Sequence, residues 1–137
     1  MSKLYNTYLS LKKQDSKSIY LFKSGIFFIA LDEDARILSD AFNFKLTNLN
    51  DSIVKCGFPC SSFYKYYSLF QTNNFTVRII EPDDNTLYSI TEYQQKEAIT
   101  ELLSTISSID IDTLSVSEAY QFITNLKNKI IEINKVE

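Results

Sequence analysis

The chain has no histidine. It therefore lacks the one side chain that titrates near neutral pH unperturbed, a frequent general acid–base and a common zinc ligand. Its only two cysteines, Cys56 and Cys60, fall in the string CGFPC. With no second pair, one molecule cannot assemble a four-ligand zinc site. Buried, reduced thiols are expected, and a four-thiolate site shared between two copies is the alternative. Glycine and proline are as scarce, two of each, which excludes a phosphate-cradling glycine loop and leaves few chain breakers. No Ser or Cys stands beside a plausible base. The acidic clusters at residues 32–34 and 81–84 sit at an expected helix start and in an expected turn, ordinary places for carboxylates. A catalytic role, a metal and a cofactor are accordingly not expected. No apolar run approaches the ~20 residues of a membrane span, and the charged start lacks a signal-peptide core, so a cytoplasmic location away from the membrane is expected.

What the chain does hold is aromatic mass. Ten Phe and nine Tyr in 137 residues can fill the core of a globular domain, or of a small domain with an appendage. The net charge of −3 is unevenly spread. Residues 1–86 carry ten Lys/Arg against nine Asp/Glu, whereas residues 87–137 carry four against eight. Neither part is strongly basic, and since cationic contacts to phosphates supply most non-specific DNA affinity, any binding to DNA by one copy should be weak at physiological salt.

Apolar periodicity predicts a helix over residues 3–14 with Leu4, Tyr8 and Leu11 on one stripe. Strands are expected at residues 18–23 and 26–31. In the second, Phe27, Ile29 and Leu31 share one face and Phe28 and Ala30 the other, the pattern of a central strand covered on both sides. Asp32, Glu33 and Asp34 complement the dipole of a following helix whose Ile37, Leu38, Ala41 and Phe42 should face the core. Short strands at 43–47 and 52–56 flank a polar turn, and Pro59 breaks the chain before Ser61, an expected N-cap. Phe63, Tyr66, Tyr67 and Phe70 recur at helical spacing. A strand with Phe75, Val77 and Ile79 on one side follows, and the turn at residues 81–85 closes a first domain, 1–86. Strands alternating with helices imply an α/β (α+β) fold, a mixed sheet flanked by helices.

The remainder, 87–137, changes character. Thr91 with Gln94, and Ser115 with Glu118, form capping boxes before apolar-periodic runs, so a two-helix hairpin is expected at 92–107 and 116–133. Val116, Ala119, Ile123, Leu126, Ile130 and Ile133 step by three and four like a coiled-coil seam. One small hairpin cannot cover that seam together with Ile99, Leu102, Leu103 and Ile106. Either self-association, as a homodimer, or packing on the first domain must hide the surplus.

The stretch SGIFFIALDEDA, residues 24–35, resembles the mismatch-probing strand of the DNA mismatch-repair protein MutS. That strand carries a glycine, a variable residue, a wedge phenylalanine and, two residues on, a glutamate that hydrogen-bonds the mispaired base. Gly25 and Phe27 match, but Ile29 stands in the glutamate position and can neither donate nor accept. YNTYLSLKKQ and SIYLFKSG upstream, and CGFP and VRIIE downstream, follow in the family's order, so residues 4–84 resemble MutS domain I. Gly57 and Pro59 match a loop that approaches the minor groove. Around them Lys55 stands where methionine is usual, and Cys60 and Ser61 replace tyrosine and histidine. The resemblance implies a DNA site of Gly25, Phe27, Ile29, Lys55, Gly57 and Pro59, with Lys55 facing a phosphate or a minor-groove acceptor. Residues 108–130 resemble the oligomerising tail of MutS, matching at Ile109, Asp110, Leu114, Glu118, Ala119, Leu126 and Lys127 and departing at Val116, where a proline is usual. The MutS ATPase has no counterpart here, so ATP-independent action is implied.

Phe27 is thus either a wedge for the minor groove or one more core or protein-contact residue. The chain is either a DNA-binding or mismatch-repair accessory module with weakened mismatch specificity, or an adaptor that has lost DNA binding and pairs with itself or with full-length MutS.

Overall fold

The computed structural model describes residues 3–83 and 85–135, which fall into two compact units, Met1–Ile90 and Thr91–Glu137. In the first, helix α1 (Lys3–Gln14) leads to strands β1 (Ile19–Ser24) and β2 (Phe27–Leu31), helix α2 (Asp32–Phe42), and strands β3 (Thr47–Asn48) and β4 (Val54–Pro59). A 3-10 turn (Cys60–Ser62), helix α3 (Phe63–Thr72) and strands β5 (Val77–Glu81) and β6 (Thr86–Ser89) complete it. The six strands form one mixed sheet in the order β3-β4-β2-β1-β5-β6, with β1 and β5 parallel and the other neighbours antiparallel.

Cross-strand partners point to the same side of a sheet. Tyr20, Phe22, Leu31 and Ile80 therefore share one face, and α1 covers it with Tyr8, flanked by Leu4, Tyr5 and Leu11. The opposite face packs on α2 and α3. Phe28 meets Phe58 and Phe63 at ring separations of 5.5 and 5.7 Å, and Phe58 meets Tyr66 at 4.4 Å. Most of the aromatic mass is spent here. Ala41, expected in this core, is exposed.

The junction of α1, β1 and α2 is held by a buried charge. Asp34, expected only to complement a helix dipole, is fully buried. Its Oδ1 accepts from Lys12 Nζ at 2.8 Å and its Oδ2 from the Tyr20 backbone N–H at 2.9 Å. Lys12 also donates to the Ser18 carbonyl at 2.9 Å. Burial pushes the Asp34 carboxyl above its usual range even though Lys12 and the Tyr20 N–H oppose the shift. A raised folded value means that this group favours folding most at low pH and progressively less as pH rises through that value. Deleting Lys12 should raise it further. Lys12→Met is expected to cost about 3 kcal/mol at neutral pH, the lower end for a broken buried pair because Lys12 is partly exposed, and less at about pH 5. Urea denaturation at the two pH values checks both the loss and its sign.

The local differences from the sequence reading have physical reasons. Pro59 ends β4 instead of breaking the chain ahead of a cap, so the 3-10 turn intervenes and Ser61 caps nothing. Strand β6 was not foreseen, and its pairing with β5 carries the sheet past residue 86. Helix α4 (Ile90–Ser108) starts directly after β6, placing Thr91 and Gln94 inside it, and the buried Gln94 Oε1 is left without a partner. In the second unit α4 and α5 (Val116–Lys135) form an antiparallel hairpin, with Gln95 Nε2 near the start of α4 donating to the Ile133 carbonyl at 3.4 Å. The second capping box forms as expected: Ser115 N–H donates to Glu118 Oε1 and Glu118 N–H to Ser115 Oγ, each at 3.1 Å.

Candidate nucleic-acid interface

A two-residue connection, Gly25 and Ile26, joins β1 to β2. Gly25 takes φ +59, the left-handed region that glycine enters at no steric cost and that suits a tight hairpin. Ile26 projects from this turn at 72% exposure, and its carbonyl accepts from the Cys60 N–H at 2.7 Å, which ties the tip to the end of β4.

From the tip, β2 pairs with β4 as Phe27↔Pro59, Ile29↔Gly57 and Leu31↔Lys55. Six sequence positions up to 34 residues apart are thereby gathered: Phe27, Ile29, Lys55, Gly57 and Pro59 share the α1 side of the sheet, with Gly25 at its rim. Gly57 is there for space, because a Cβ would collide with the Phe28 carbonyl oxygen. Coverage by α1 fades along β2: Leu31 is fully buried, Ile29 is half-buried and Phe27 is 44% exposed. Phe27 is therefore not a core residue, and the expectation of a strand covered on both sides holds only for its second half. The alternating pattern showed which residues share a face but not where the covering helix stops.

Beyond Phe27 the sheet face opens into a pocket of about 320 Å³ lined by Phe27, Ile29, Lys45, Thr47, Lys55 and Gly57. Lys45 and Thr47 were missed in the sequence. They sit at the edge strand β3, whose Thr47↔Lys55 pairing sets Thr47 on the same side as Phe27. The only signal was the polar turn beside them. Cys56 also contributes to this wall, but its buried Sγ faces the Ala35 carbonyl at 3.5 Å, and burial pushes the thiol up to about 11, leaving it protonated and unreactive at neutral pH.

The seam expected on the tail divides into two rows. Ile133 lines a cleft with Leu102 and Ala98, and Leu126 and Ala119, one and two heptads earlier, are half-buried on its side. Val116, Ile123 and Ile130 form the other row and are exposed, at 90%, 57% and 47%. Ile99, Leu103 and Ile106 of α4 are exposed as well. In an antiparallel pair, rows displaced in the same sense from the inner line fall on one side of the hairpin, so the exposed residues of α4 and α5 make one apolar face.

The helix-flanked mixed sheet defines an α+β domain. The family model for MutS domain I matches residues 2–108, which includes α4, and the chain belongs to that family. Domain I is the DNA-recognition part of MutS and is not its catalytic part. No curated protein matches the chain. Among the described residues no helix is long and apolar enough to cross a membrane.

Proposed function

We propose that this protein is a non-enzymatic, ATP-independent DNA-binding accessory module of mismatch-repair type, acting in the cytoplasm. The observation that carries this reading is the exposure of Phe27 on an open sheet face beside Gly57, Pro59 and Lys55. An apolar side chain presented in this way can enter the minor groove at a weak base step, unstack it and kink the duplex. Lys55 and Lys45 stand where they can meet phosphates, and Gly25, Gly57 and Pro59 shape the approach.

Ile29 sets the limit on specificity. With an isoleucine in place of a hydrogen-bonding side chain two residues from the wedge, the site senses how easily a step unstacks and not which base it meets. Mismatched duplex is expected to bind less than about tenfold more tightly than matched duplex, against the roughly 10³-fold or more of a specific reader. Parallel titrations of the two duplexes at low and physiological salt test this. A thousandfold preference would overturn the assignment of Ile29 as a lost reader.

Near-neutral charge makes one copy a weak binder, and the exposed hairpin face supports homodimerisation, which would place two wedges on one DNA molecule. The same face also supports a second reading, an adaptor that no longer binds DNA and pairs with itself or with full-length MutS. Absence of duplex binding at low salt, together with a stable dimer, would favour it.

A further inference from the structure

Resting on the homodimer proposed above, we propose that the two hairpins pack face to face and antiparallel, the α4–α5 turn of one copy against the open end of the other. The exposed apolar face fits a reversed copy of itself. Ile99 and Ile106 straddle Leu103 by four and three residues, and Ile123 and Ile130 straddle Lys127 in the same way. Leu102 and Lys129 line one cleft, so Leu103 and Lys127 stand at about the same level along the hairpin. A two-fold axis crossing both helices there lays α4 on α4 and α5 on α5, with Ile99 beside Ile106 of the second copy and Ile123 beside Ile130 of the second copy. Lys127 is exposed, so its stem can lie along this face while its ammonium stays in water.

Spacing alone would also permit a parallel pair, and charge decides between the two. Residues 103–126, the half of the hairpin that contains the turn, hold Asp110, Asp112 and Glu118 and no Lys or Arg. All four lysines of residues 87–137 lie outside that stretch. A parallel pair would gather the carboxylates of both copies at one end with no cation among them, a repulsive arrangement. In the antiparallel pair Lys96, seven residues or about 10 Å before Leu103, comes level with Asp110 of the second copy, seven residues after it. Asp110 is exposed, gives one carboxylate oxygen to the Asp112 N–H at 3.1 Å, and can offer the other to the lysine. The two-fold axis makes this contact twice.

The test is sedimentation equilibrium of the full chain at about 50 and 300 mM salt, on the wild type, Lys96→Glu, Asp110→Lys and the variant that combines the two, with circular dichroism of each to confirm helical content. Asp112→Lys, at the same end, takes the place of Asp110→Lys if loss of the bond to the Asp112 N–H unfolds the turn. Each single reversal should weaken the dimer about tenfold at low salt, because it turns attraction into repulsion at both symmetric contacts. The combined variant exchanges the two charges and should return to within about threefold of the wild type. Added salt should loosen the wild-type dimer. A parallel pair predicts the opposite: Asp110→Lys tightens the dimer, Lys96→Glu leaves it unchanged, and salt tightens the wild type. That pattern, or equal affinity in all four proteins, overturns the antiparallel docking while the homodimer stands. A wild-type chain that is monomeric at micromolar concentration overturns the homodimer reading itself.

Discussion

Phe27→Ala is expected to abolish detectable duplex binding while leaving the fold close to wild-type stability. The ring is 44% exposed, so its removal loses only a fraction of the ~3–5 kcal/mol that truncating a buried phenylalanine costs. Phe28→Ala is the internal control. It lies one residue further along β2 and faces the other side of the sheet at 1% exposure, packed between the tilted rings of Phe58 and Phe63, and should show the full loss. Urea denaturation of the two variants beside anisotropy titrations with labelled duplex separates contact from packing. A loss of several kcal/mol in Phe27→Ala would return this residue to the core, and unimpaired DNA binding would remove it from the interface.

The second large effect concerns the tail. Ile123→Asp combined with Ile130→Asp places two carboxylates in the exposed row of α5. Both side chains point away from the inner row, so the hairpin should persist, with helical content unchanged. Self-association should be lost, and affinity for a duplex long enough to take two copies should fall about hundredfold, the lower end of what linked sites gain in effective concentration. Leu126→Asp is the contrast. Leu126 is half-buried on the side of Ile133, and a charge there should unfold the hairpin instead of merely separating copies. Sedimentation velocity and circular dichroism read both outcomes. A wild-type chain that sediments as a monomer at micromolar concentration contradicts the dimer and the avidity built on it.

Much of this was legible in the chain because local physics and burial agree. The stripe of Leu4, Tyr8 and Leu11 gave α1, and Ser115 with Glu118 marked the start of α5 through a capping box that forms as expected. The six residues read as a DNA site are brought together because β2 and β4 pair in the register that sets Phe27 against Pro59 and Ile29 against Gly57. What escaped depended on long-range packing. Period-two alternation assigns faces but not cover, so Phe27 looked as buried as Leu31 although α1 reaches only one of them. The sequence TLYS is short and follows a polar turn, and nothing local shows that it pairs with β5. Asp34 reads as any first-turn acid until Lys12, 22 residues earlier, is folded against it. The heptad seam looked continuous because spacing alone does not say that two of its rows face different ways.

The most direct test of a DNA-binding wedge face is a salt-dependent titration of the wild-type chain with a mismatched duplex, from about 50 to 200 mM salt. With Lys45 and Lys55 as the phosphate contacts of each copy, binding should be measurable at the low end and log affinity should fall against log salt with a slope of about −2 per copy engaged. No binding at the lowest salt, or binding that salt leaves unchanged, would contradict the account.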